Sequence, residues 1–182
     1  DHPASRTYGA EKPEKAKPYK PKEKLPEYFL VDGYNVIFAW EELSDLAKVN
    51  IASAREKLQD IMCNYQGFRK CNLILVFDAY RVEGHEEEII PYHNIHVVYT
   101  KEAETADSFI ERTAHQIGRK YQVTVATSDG LEQVIIRGQG CAMMSARELK
   151  EEIERINQEI RRDYVEQFPG SKNYLFDYVP EE

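Results

Sequence analysis

At 182 residues the chain has room for one domain plus an appendage, and with 42% hydrophobic and 31% charged residues it can bury a core without disulfides or a structural metal. Cys63, Cys71 and Cys141 are odd in number and lack CxxC or CxxH spacing, which argues against a disulfide framework or a zinc site and points to a reducing cytoplasm. No apolar run nears the ~20 residues that span a bilayer and no apolar h-region opens the chain, so membrane and secretory classes drop out.

The net charge of −8 is unevenly spread. Residues 1–24 hold seven Lys/Arg against four Asp/Glu, which leaves −11 on the remainder. So acidic a body is unsuited to clamping long nucleic acid by charge alone, but it is compatible with a site where bound cations supply the positive field. The opening stretch is rich in Lys, Pro and Glu (KPEKAKPYKPKEK) with almost nothing to bury, so residues 1–25 are expected to form a flexible tether and 26–182 the folded domain. The tether reads either as an inert linker or as a basic arm that touches phosphate. Asp1 in place of an initiator Met is expected of a processed product or a piece cut from a longer protein.

From Leu25 onward strand and helix signals alternate. Tyr28–Val31 is a short apolar run of the kind a buried strand shows, ended by Asp32-Gly33. Residues 51–66 space Ile51, Ala54, Leu58, Ile61, Met62 and Tyr65 as one helical face. Leu73–Phe77 predicts a second strand stopping at Asp78, and His96–Tyr99 a third; between them residues 79–94 break the rhythm as a long polar loop or hairpin. Residues 104–120 read as a helix with Ala106, Phe109, Ile110, Thr113, Ala114 and Ile117 inward. Gln122–Thr127 is a fourth strand, stopped by Ser128-Asp129. A short helix over 129–137 closes at Gly138 and Gly140, a short strand follows at Cys141–Met144, and the capping box Ser145/Glu148 opens a last helix to about Val165. The alternation predicts an α/β fold whose central sheet is mainly parallel with helices on both faces.

The chemistry lies where the strands end. Asp32, Asp78 and Asp129 each follow a predicted strand at once or after one residue, and the carboxyl ends of strands in an open parallel sheet form the crevice where ligands bind. Asp107, early in the helix after the third strand and flanked by Glu104 and Glu111, can point back to the same edge. Crowded carboxylates repel one another unless a cation sits between them, and oxygen-only ligation selects Mg2+ or Mn2+ over zinc. Two such cations ~4 Å apart suit phosphodiester cleavage. Each aspartate alone also reads as a turn residue or helix N-cap; convergence of three on one edge favours the metal reading.

Asn35 either orients a water or phosphate or caps a turn. Arg81 either meets a phosphate or is a solvated loop residue. Ser128 either holds the neighbouring carboxylate or serves the turn. Tyr80, His85, Tyr92, His93 and Lys101 surround the long loop and suit RNA contact by stacking or charge, although the acidic run Glu86-Glu87-Glu88 counts against a simple RNA groove. His85-Glu86 does not continue to HExxH, since Ile89 stands in the fifth position, and Gly138-Gln139-Gly140 is too short for a dinucleotide fingerprint.

The strings FLVDGYNVIF, LVFDAYR, VVYTKEAETADSFIE and VATSDGLEQ resemble, in order, the YacP-like NYN family of the PIN-like nuclease superfamily, over roughly residues 27–166. The resemblance implies a three-layer α/β/α PIN-like fold and a metal-dependent endoribonuclease of the cytoplasm, acting on RNA at the translating ribosome. It also implies attachment behind a translational GTPase, for which residues 1–24 suit as a connection. By matching motif it places Asp32 and Asn35 in the first acidic position, Asp78 after the second strand, Asp107 in the TADSFIE helix and Asp129 in the TSD motif. These five are the expected catalytic set, with Asp32, Asp107 and Asp129 expected to hold metal, while Arg81, Tyr80, Lys101 and Ser128 are read from their places in the sequence as the substrate side. The rival expectation is a nuclease-like module that docks on RNA or the ribosome without cutting. A phosphatase is disfavoured because DGYN stands where DxD would follow the first strand.

Overall fold

The computed structural model describes residues 25–79 and 86–168. Six strands form one sheet: β1 (Glu27–Asp32), β2 (Asn72–Phe77), β3 (Glu88–Tyr92), β4 (Ile95–Tyr99), β5 (Gln122–Ala126) and β6 (Ala142–Met144), in the order β3-β4-β2-β1-β5-β6. All pairings are parallel except β3 with β4, which pairs a strand inside the segment 79–94, expected to be a loop or hairpin, with the strand expected at His96–Tyr99.

The helices are α1 (Gly33–Ala39), α2 (Glu41–Val49), α3 (Ile51–Arg69), α4 (Ala106–Ile117), α5 (Gly130–Gly138) and α6 (Ala146–Gln167). Strand alternation sends side chains to opposite faces, so the sheet divides the core in two. On one face Phe29, Val31, Leu75 and Phe77 pack with Val36 and Ile37 of α1, Leu43 of α2, Leu58 and Met62 of α3, and Leu149 and Ile156 of α6. On the other, Leu30, Val76, Val98 and Val125 pack with Phe109 and Ile110 of α4 and Ile136 of α5. The result is the three-layer α/β/α arrangement, with α4 and α5 the helices of the second face among the described residues.

α1 and α2 are additions to the elements read from sequence. The segment GYNVIFA starts a helix because Asp32 caps it, accepting from the Asn35 N–H at 3.4 Å, and because Gly33 allows the first turn to lie on β2. A Cβ at Gly33 would stand 2.9 Å from the Val76 carbonyl oxygen and against the Phe77 ring. Trp40, where α1 meets α2, donates from Nε1 to the Ala146 carbonyl at 2.7 Å and so fixes both helices to the start of α6. That start carries the expected Ser145/Glu148 capping box.

Candidate metal centre

The parallel order brings the carboxyl ends of β2, β1 and β5 side by side, and the helix starts that follow them gather over β1. Asp32, the last residue of β1, is only 6% exposed. Asp107 stands in the first turn of α4 and Glu132 in the first turn of α5, the latter only 4% exposed. Each of the three offers a carboxylate oxygen, and the three oxygens lie within 4.8 Å of one another.

Burial pushes the Asp32 carboxyl up to about 8, helped by its hydrogen bond to Asp107 and by that group's charge. Burial likewise pushes Glu132 up to about 9, with the charges of Asp107 and Asp32 adding to it. Glu132 Oε2 accepts from Thr127 Oγ1 at 3.0 Å, whereas Oε1 is buried without a hydrogen-bond partner among the described residues. A buried, unpartnered carboxylate oxygen among other carboxylates is unfavourable by several kcal/mol unless a proton or a cation meets it. The donor set therefore fits a hard metal ion.

Four more of the residues singled out from sequence hold the turns and helix starts that carry this group. Asp78 lies one position beyond β2 and accepts from the Ala106 N–H, tying the start of α4 to the sheet; burial raises its carboxyl above the usual range. Asp129 is outside the group of three. Its Oδ1 accepts from the N–H groups of Leu131 at 3.0 Å and Glu132 at 3.2 Å, so it caps α5 and aims the helix that carries Glu132. Asn35 Oδ1 accepts from the Ser128 N–H at 2.7 Å, joining α1 to the β5–α5 turn. Ser128 Oγ in turn accepts from the Ala146 N–H at 3.1 Å. Lys101 is exposed in the turn after β4. Tyr80, Arg81 and His85 lie outside the described residues, as does the tether over 1–24.

Glu132 was not among the residues singled out. The available signal is its spacing: Ile136 is fully buried, and the residue four positions earlier on a helix shares its face.

The sequence profile of the YacP-like NYN domain matches residues 29–182, a span that contains every residue named above from Asp32 onward. The chain belongs to that family. It is 44% identical over 137 residues to a Bacillus subtilis protein known as YacP, covering 75% of this chain and 80% of that one. Two crystal structures of Rae1 (YacP) from Bacillus subtilis are similar to it in fold. One, of a single-substitution variant, gives a TM-score of 0.68 at 39% identity over 80% of this chain and 86% of that one. The other gives 0.65 at 43% identity over 78% and 82%. As a YacP-like NYN domain with a PIN-like fold, the chain is a nuclease-like domain whose acidic triad can hold a metal ion. None of its described helices is long and apolar enough to cross a membrane.

Proposed function

We propose that this NYN domain is a divalent-metal-dependent endoribonuclease, with Asp32, Asp107 and Glu132 holding Mg2+ or Mn2+. The observation that carries the reading is the convergence of these three carboxylates around the unpartnered Glu132 Oε1. A cation bound there supplies Lewis-acid stabilisation of charge on a phosphodiester and lowers the pKa of water.

The protein's own part is positioning. Asp78 holds the first turn of α4 and hence Asp107. Asp129 holds the first turn of α5 and hence Glu132. Asn35, through Ser128, keeps the two sides of the cleft in register. In this assignment Glu132 takes the ligand place expected of Asp129, and Asp129 acts through it. Lys101, exposed beyond β4, and the loop bearing Tyr80 and Arg81 are assigned to the phosphate backbone of the substrate. RNA of the translating ribosome in the cytoplasm is the substrate setting, with an upstream GTPase module as the partner that delivers the domain there.

The test is cleavage of an end-labelled RNA with Mg2+ or Mn2+, with EDTA and Asp32→Asn controls, free and with translating ribosomes. Cleavage is expected to need the metal, to vanish in EDTA and to fall by roughly a hundredfold or more in the variant at equal folding. Cutting in EDTA, or an unimpaired variant, would overturn the reading; cutting only with ribosomes would establish them as part of the site.

A further inference from the structure

α1, whose first turn is capped by Asp32, carries an aromatic pair with no structural employment for its outer ring. Phe38 is 52% exposed and stacks on Tyr34, with centroids 6.2 Å apart and planes 22° from parallel. Tyr34 leans on Phe77 at 5.1 Å, and Phe77 stacks on Tyr99 at 5.7 Å. This run of rings is tied to the acidic edge at two points: Tyr34 is two residues after Asp32, and Phe77 immediately precedes Asp78. Arg55 of α3 donates from Nη1 to Tyr34 Oη at 3.1 Å and has no acidic partner among the described residues, which leaves guanidinium donors for another group. A single exposed phenylalanine means little by itself. A flat ring backed by a second ring that itself meets a guanidinium, on a helix capped by one of the clustered carboxylates, has the components of a site for one unpaired base and its phosphate.

We infer that Tyr34, Phe38 and Arg55 form a nucleobase subsite of the cleft, in which an unpaired base stacks on Phe38 and the adjacent phosphate meets Arg55. The inference rests on the nuclease reading for its substrate and deepens it: the chain engaged is single-stranded, because a base inside a duplex has both faces stacked on its neighbours and none to offer. Base–aromatic stacking tolerates any base, so the subsite adds affinity and register without choosing a sequence.

The experiment uses Asp32→Asn as a cleavage-impaired background and a single-stranded RNA bearing one fluorescent purine analogue, with Mg2+ present. Binding is expected to quench the analogue in this background, and annealing the RNA to its complement is expected to abolish the quench. Phe38→Ala should weaken binding at least about fivefold and remove most of the quench, while Phe38→Trp should restore both. Arg55→Ala should weaken binding and flatten its salt dependence but leave the residual quench per bound RNA. Phe38 is exposed, so its truncation is expected to leave the thermal midpoint unchanged, which separates lost binding from lost folding.

No quench in the background protein, an equal quench with duplex, or full binding by Phe38→Ala would each overturn the subsite. The nuclease reading fails separately, in the metal and Asp32→Asn cleavage assays, whatever the fluorescence shows.

Discussion

Glu132 places a carboxylate where an uncharged group would be cheaper, and its neighbours make the mismatch larger. A folded-state pKa raised above the unfolded value means that ionisation opposes folding: the penalty is absent below the unfolded pKa and grows as pH climbs towards the folded one. For Asp32 and Glu132, which move from 3.8 to about 8 and from 4.5 to about 9, the window runs from roughly pH 4 to pH 9. In EDTA, Glu132→Gln should therefore melt above the parent at pH 8, by roughly 3–8 °C, with the difference closing towards pH 4.5. Mg2+ or Mn2+ should raise the parent's midpoint at pH 8 and leave the variant's nearly unmoved. A difference that ignores pH would show that the carboxylate is not ionising there. The residue escaped the sequence reading for a physical reason. Asp32, Asp78 and Asp129 are legible because chain direction alone sets a strand end, and Asp107 because its helix follows a strand, whereas Glu132 sits behind Asp129 and reaches the cluster only through the rotation of α5. On α5 the usual pattern is inverted, with Glu132 buried and Leu131 and Val134 72% and 68% exposed. Such a conflict between local pattern and burial is what a functional site produces.

The strands were legible because each is a short apolar run stopped by a turn residue, and buried parallel strands have little else to show. The hairpin of β3 and β4 was legible as a break in rhythm. α1 was not, since GYNVIFA is nearly all apolar or aromatic and has no polar face to reveal a period. What makes it helical is contact: it lies between β2 and α3, with Val36 and Ile37 fully buried. Gly33 is the hinge of that contact. Gly33→Ala forces either the Val76 backbone or the start of α1 to move, because the added methyl would stand 2.9 Å from a carbonyl oxygen fixed in the sheet. The expected loss is about 1–3 kcal/mol of stability by urea denaturation, with weakened metal binding because Asp32 caps the displaced helix. Wild-type stability in this variant would mean that α1 does not depend on its seat against β2. Asp78 and Asp129 teach the related lesson that a carboxylate at a strand end can serve a site by holding the first turn of the helix that bears a clustered acid.

At the scale of the whole molecule the two ends of the sheet have different employment. At the end opposite the carboxylates, Arg69 at the close of α3 joins three elements. Its Nε and Nη2 reach Glu27 of β1 at 2.6 and 3.0 Å, while Nη1 reaches Tyr65 at 2.7 Å and Glu152 of α6 at 3.4 Å. The guanidinium also lies 4.8 Å over the Phe29 ring. Removing it leaves two half-buried carboxylates without their cation. Arg69→Ala should therefore lose about 2 kcal/mol of stability in urea while retaining parental metal-induced stabilisation per folded molecule. Loss of metal response at full folding would show that the two ends are coupled. This division was readable in outline, since a parallel sheet sends all its carboxyl ends one way, but the Arg69 network joins residues far apart in sequence.

The margins of the sheet have a consequence of another kind. β3, at one edge, carries Pro91, which has no N–H to offer a newcomer, and β6, at the other, is three residues long. Neither margin presents a continuous ladder of backbone donors and acceptors, so another chain gains little by laying a strand alongside. Crowded copies of the chain accordingly find no backbone template in this sheet on which to polymerise.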